Sequence, residues 1–165
     1  MKIKRIARHV LMTHAQVRRS FPASALKNIE HAIKASENLH QGEIRFVVEA
    51  ALDGLPLFKG QSARERAMDV FSQLGIWDTE HNNGLLIYLL MADRAVEIVA
   101  DRGIHAKVGP HEWGTICHRM EVAFKQSDFE SGVLAGVQAV TQHLAAHFPA
   151  QGPSRNELPN AAVVL

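Results

Sequence analysis

The run Leu85-Leu86-Ile87-Tyr88-Leu89-Leu90-Met91, between Asn82-Asn83-Gly84 and Ala92-Asp93-Arg94, constrains the fold more than any other stretch. It carries no charge and no polar alternation, which predicts a strand buried on both faces. A turn at Asp93-Arg94 followed by Val96-Glu97-Ile98-Val99-Ala100 predicts an antiparallel return strand. Asn82, Asn83 and Gly84 then come level with Asp101, Arg102 and Gly103. Any function legible in the sequence is expected at those meeting ends.

A chain of 165 residues is long enough for one hydrophobic core, and one domain is the default. Hydrophobic residues at 47% and charged ones at 21% argue against wholesale disorder. A net charge of +1 gives no general drive toward nucleic acid or acidic membranes, so no nucleic-acid partner is expected. The single cysteine, Cys117, excludes an intramolecular disulfide, and its neighbours Trp113, Ile116 and Met120 suggest a packed thiol. The basic opening is interrupted by Arg8, His9, His14 and Gln16, so no secretion signal is read there. No apolar run approaches the ~20 residues of a membrane-spanning helix. The expectation is a cytoplasmic protein with no transmembrane segment.

Ile3, Ile6, Val10, Leu11 and Val17 recur at helical spacing and predict one amphipathic helix over 2–19. A second helix is expected from Ala23 to Leu39, with Leu26, Ile29, Ala32 and Ile33 as its apolar stripe, the two forming an N-terminal helical pair over 1–40. The apolar stripe of the first helix is read as packing on the second rather than as a lipid- or nucleic-acid-binding face. Residues 43–51 read as an interior strand and Asp53-Gly54-Leu55-Pro56 as a turn. Ser62-Ala63-Arg64-Glu65 matches a capping box opening a helix, which leads to the Leu85 strand. Strand, helix and strand make a βαβ unit with parallel pairing. Pro110 opens a further helix, and Ser127-Asp128-Phe129-Glu130, a second capping-box match, opens the last one, stopped by Pro149. Residues 149–165 mix Gln, Gly, Pro, Ser and Asn without periodicity and predict a flexible tail.

The order of signals from Trp77-Asp78 through Asn82-Asn83-Gly84-Leu85-Leu86-Ile87 to Val96-Glu97-Ile98-Val99-Ala100-Asp101-Arg102-Gly103-Ile104 resembles the TPM domain family, which includes the thylakoid-lumen acid phosphatase. Phe124-Lys125-Gln126-Ser127-Asp128-Phe129-Glu130-Ser131-Gly132 looks like that family's stretch before its last helix. The resemblance covers roughly residues 43–148. It implies a three-layer α/β/α sandwich around a small mixed sheet, here over 41–148 behind the N-terminal pair. It further implies divalent-metal binding, phosphatase activity in some members and membrane-protein maintenance in others. The chain departs from better-known members in having Asp101-Arg102-Gly103 where they carry a glycine-aromatic-glycine step, and in the expected lack of an export signal and anchor.

Asp78, Asn82, Asn83 and Asp101 are oxygen donors suited to a hard cation, Ca²⁺ or Mg²⁺. Asp101, Arg102 and His105 are the catalytic candidates, Arg102 or His105 binding a phosphate or moving a proton. The plainer reading is that Asn-Asn-Gly enters a strand and Asp101 caps a turn. Glu49, Asp53 and Asp93 form a rival cluster at the opposite sheet edge. His143 and His147, four apart, and His111 and His118, seven apart, invite a zinc site, but no third ligand is suggested by spacing and solvated histidines are favoured. The functional expectation is a cation-binding accessory or interaction module in envelope or stress physiology, its partner a protein that could be membrane-associated. The alternatives are a metal-dependent phosphatase and an interaction domain without metal.

Overall fold

Both interior runs become strands with no exposed face. In a computed structural model, which describes residues 2–153 and 155–165, every residue of β1 (Glu43–Glu49) and β2 (Gly84–Leu90) is buried. They pair in parallel, with Glu43 opposite Gly84 and Phe46 opposite Ile87. β3 (Ala95–Ala100) returns antiparallel to β2, Leu85 opposite Ala100, in the register that the hairpin reading predicts. At the turn the Arg94 N–H donates to the Met91 carbonyl at 3.0 Å, and Arg94 takes a left-handed φ of 53°.

Strand alternation sends two sets of side chains to opposite faces. Phe46, Leu85, Ile87, Leu89 and Ile98 face one core, covered by α3 (Ala23–Ser36), α7 (Pro110–Lys125) and α8 (Phe129–His147). Val47, Leu86, Tyr88, Leu90 and Val99 face the other, covered by α5 (Ala63–Gln73). The architecture is therefore the expected α/β/α sandwich around a small mixed sheet.

The order β3-β2-β1-β4 contains a strand that the sequence reading lacks. β4 (Val163–Val164) lies in the stretch expected to be a flexible tail, yet it pairs in parallel with β1, Val47 opposite Val163. The Leu165 N–H donates to the Val48 carbonyl at 2.9 Å and the Ala50 N–H to the Leu165 carbonyl at 3.1 Å. A two-residue strand has no period to read, and the open edge of β1 supplies the hydrogen bonds that order it.

The N-terminal pair also differs. The helix expected over 2–19 breaks at Met12-Thr13 into α1 (Lys2–Leu11) and α2 (His14–Ser20), because Thr13 and Gln16 form a capping box. Ile6 of α1 packs into the α5-side core, while Val17 of α2 packs into the other. Ile3, Val10 and Leu11, expected to pack on the next helix, are 82%, 71% and 72% exposed. Ile29 and Ile33 of α3 belong to the same core as one face of the sheet, so α3 forms part of the layer that covers it.

Of two short helices, α4 (Gly54–Lys59) stands where a turn is predicted and α6 (Arg102–Val108) in a stretch to which the sequence reading assigns no element. The Ser62/Glu65 capping box forms. The Ser127/Glu130 one does not: Asp128 is the N-cap without a side-chain bond, and Glu130 accepts instead from Asn28 Nδ2 at 2.6 Å, tying α8 to α3. Among the described residues no helix is long and apolar enough to cross a membrane.

Candidate functional site

The hairpin's open end is closed by backbone hydrogen bonds that run past the last ladder positions. The Asp101 N–H donates to the Gly84 carbonyl at 2.8 Å, and the Glu43 N–H to the Asn83 carbonyl at 3.4 Å. Asn83 is held on both sides: its N–H donates to Thr79 Oγ1 at 3.2 Å, and its Nδ2 to the Gln41 carbonyl at 3.2 Å. Asp101 caps α6, its Oδ1 accepting from the Arg102 N–H at 2.7 Å.

Glycine lets these segments approach. A Cβ at Gly84 would lie 2.0 Å from the Ile76 carbonyl oxygen, and one at Gly103 would lie 2.5 Å from that of Asn82 and 2.8 Å from that of His81. The loop before β2 therefore packs directly on β2 and on the first turn of α6, leaving Asn83 fully buried and Asp101 9% exposed. Asn83 Oδ1 and Asp101 Oδ2 are buried oxygens with no hydrogen-bond partner among the described residues. Native proteins rarely leave such acceptors unpaired.

Of the other candidates, Asp78 and Asn82 are exposed, Asn82 with a left-handed φ of 51°. Asp78 opens on a polar cleft of about 560 Å³ that it shares with Glu80, Arg155 and Glu157, not with Asn83 or Asp101. Arg102 is exposed. His105 is half-buried and lines a separate cleft with Arg64, Glu97 and Cys117. The ladder adds a constraint of its own, since alternation places Asp101 on the Val99 side of the sheet and Asn83 on the Leu85 side. The hairpin brings the two backbones level while directing their side chains to opposite faces.

Two members of the rival cluster at the other edge, Glu49 and Asp93, are neutralised. The Glu49 carboxylate takes two bonds at 2.9 Å from Arg66 and one at 2.5 Å from the Tyr88 hydroxyl. Burial and the neighbouring Glu49 hold the Tyr88 phenol far above its usual pKa. Asp93 is gripped by Arg5 at 2.7 Å and by His9 at 3.1 Å. Burial works against its charge, but the bonds from Arg5 and His9 prevail and lower its pKa. Asp53 is the N-cap of α4 and makes no side-chain cap bond.

His143 packs edge-on against Trp113, while His147, His111 and His118 are exposed. Among the described residues no group of three or more His, Cys, Asp or Glu side chains is placed to hold a metal ion. Cys117 is packed as expected, and burial, with help from Glu97, pushes its thiol up to about 12.

Sequence reading missed Glu43. It is 4% exposed and accepts backbone N–H bonds from Glu157 at 3.0 Å and Leu158 at 3.3 Å, which pins the C-terminal segment across the rim. Burial pushes its carboxyl up to about 7. The available signal was a charge opening an otherwise apolar strand; its partners, more than a hundred positions away, left none.

A three-layer domain with a parallel β1–β2 pair, an antiparallel β3 and a glycine-packed loop before β2 is the class that these observations define. The chain belongs to the TPM domain family, whose model matches residues 19–143. The match starts inside α2, so it takes in the end of α2 and all of α3, which the sequence reading assigns to the N-terminal pair. The structure is similar to the NMR structure of the BA42 protein from the psychrophilic bacterium Bizionia argentinensis, with a TM-score of 0.77 and 32% identity over 88% of this chain and 95% of that one. It also shares its fold with the solution NMR structure of the N-terminal domain of a P. gingivalis protein, with a TM-score of 0.61 and 20% identity over 83% of this chain and 90% of that one. No curated protein matches the chain.

Proposed function

We propose that this chain is a TPM module that binds a divalent cation, Ca²⁺ or Mg²⁺, at the rim where β2 begins, and that it acts as an accessory or interaction domain rather than a hydrolase. The observation that carries this reading is the pair of buried, partnerless oxygens, Asn83 Oδ1 and Asp101 Oδ2, at neighbouring positions of the ladder end. An amide and a carboxylate are both oxygen donors, which suit a hard cation and not zinc. Asp101 would supply the negative charge and Asn83 a neutral donor. Because the ladder sends Asn83 and Asp101 to opposite faces, an ion shared by both would have to lie past the end of the ladder. With one carboxylate, the affinity belongs in the weak range of such sites.

Phosphomonoester hydrolysis is less well supported. Arg102 is exposed and His105 opens on another cleft, so neither candidate converges on Asp101 as an acid, base or phosphate clamp.

Ca²⁺ and Mg²⁺ titrations of metal-free protein, followed by amide NMR shifts, test the reading. Saturable shifts clustered at residues 79–84 and 100–105, weakened at least tenfold in both Asp101→Asn and Asn83→Ala, are expected. No shifts at ~10 mM cation, or shifts unchanged in Asp101→Asn, would rule the site out. Loss in Asp101→Asn alone would remove Asn83 from it.

A further inference from the structure

At the opposite end of β2 lies a cleft of about 370 Å³ between α2, the hairpin turn and the α7–α8 junction. Its floor is apolar, made by Leu89 and Met91 at the end of β2 with Phe124 and Phe129. Its rim carries Arg19, Arg94 and Lys125. All three side chains are exposed, and none is ion-paired among the described residues. The one carboxylate in the lining, Glu121, is engaged as an acceptor for the Val96 N–H at 3.2 Å.

Two independent features mark this cleft as more than a gap. It opens at the carboxyl ends of the parallel pair β1–β2, the edge where open α/β sheets receive ligands. Its lining also holds Arg94 and Ser127, with φ of 53° and 61°, two of the three non-glycine residues in the left-handed region among those described. Such strain persists where the surroundings impose it, and it clusters at ligand sites.

We infer that this cleft binds a small amphipathic anion, with an acyl chain on the Leu89/Met91/Phe124/Phe129 floor and a carboxylate among Arg19, Arg94 and Lys125. The floor gives the apolar contact that a bare inorganic anion does not use, and the three cations favour a negatively charged head group over a neutral one. The site is separate from the rim at Asn83 and Asp101 and stands or falls independently of it.

Octanoate, octanol and inorganic phosphate, each titrated into the full chain and followed by NMR, decide the matter. Octanoate should shift the lining residues saturably, with octanol and phosphate each at least about tenfold weaker. Arg94→Gly removes a cation while keeping a residue suited to the left-handed backbone, so it should fold and weaken octanoate about tenfold. Arg19→Ala on the neighbouring helix should weaken it in the same direction. Octanol or phosphate binding as well as octanoate would overturn the proposal, as would octanoate binding untouched by either substitution or shifts that map elsewhere.

Discussion

Glu49 is 7% exposed, and Arg66 and Tyr88 between them occupy both of its oxygens. Removing one member of a buried pair leaves an uncompensated charge, whereas removing both costs much less. Arg66→Met is therefore expected to lower stability by about 3 kcal/mol in urea unfolding, and adding Glu49→Gln to recover part of that loss. An Arg66→Met cost within error of zero would mean that water already screens the pair. Gly103 offers a second contest of magnitudes. Alanine in place of a helical glycine ordinarily gains up to about 1 kcal/mol, but here its Cβ would meet backbone oxygens of Asn82 and His81 that cannot rotate away. Gly103→Ala should destabilise by about 1–3 kcal/mol and shift the amides of the 79–84 loop; a stabilised variant would show that the loop is looser than described.

Among the elements, the helix starts separate what local sequence decides from what it does not. Ser62 and Glu65 cap α5 as a contiguous motif, Glu65 Oε2 accepting from the Ser62 N–H at 2.7 Å, and Ser62→Ala should cost about 1 kcal/mol in thermal or urea unfolding. The same pattern at Ser127 and Glu130 forms no box, because α3 presents Asn28 to Glu130 and the tight entry to α8 puts Ser127 at a left-handed φ of 61°. α6 escapes periodicity because its seven residues make only about two turns, too few to show an apolar stripe, although Asp101 is the type of residue that starts a helix. The free edge of β3 is likewise a tertiary matter. Arg64 donates to the Ile98 carbonyl at 2.5 Å and Glu121 accepts from the Val96 N–H, so side chains from α5 and α7 occupy hydrogen-bonding positions that another strand would use.

On the scale of the whole molecule, the C-terminal segment is fastened to the sheet by buried charge as well as by β4. Arg45 donates to the carbonyl of Pro159, and Glu43 accepts from the backbone of Glu157 and Leu158. Burial raises the Glu43 carboxyl to about 7 and lowers the His40 imidazole to about 4. The two effects oppose each other. A raised carboxyl contributes stability below its unfolded value of 4.5 that is lost as pH rises through 7. A lowered imidazole contributes stability above its unfolded value of 6.5 that is lost as pH falls through 4. Between pH 4.5 and 6.5 the slopes compensate, so Glu43→Gln should uncover the histidine and make stability climb with pH where the parent is nearly flat. Parallel urea titrations at several pH values check this, and identical profiles would show that Glu43 is solvated.

The sequence by itself determined the buried strands, the hairpin register, the parallel crossover and most long helices, because each is written in the spacing of contiguous residues. It also placed Asn83 and Asp101 at one rim, since register follows from counting along a hairpin. Only the tertiary structure decided that β4 completes the sheet, that Glu49 and Asp93 are spent on arginines, and that α3 forms part of a layer. It alone leaves one oxygen each on Asn83 and Asp101 without a donor among the described residues. Those outcomes depend on groups far apart in the chain meeting in space, and on which polar atoms remain unpaired once the backbone has closed around them.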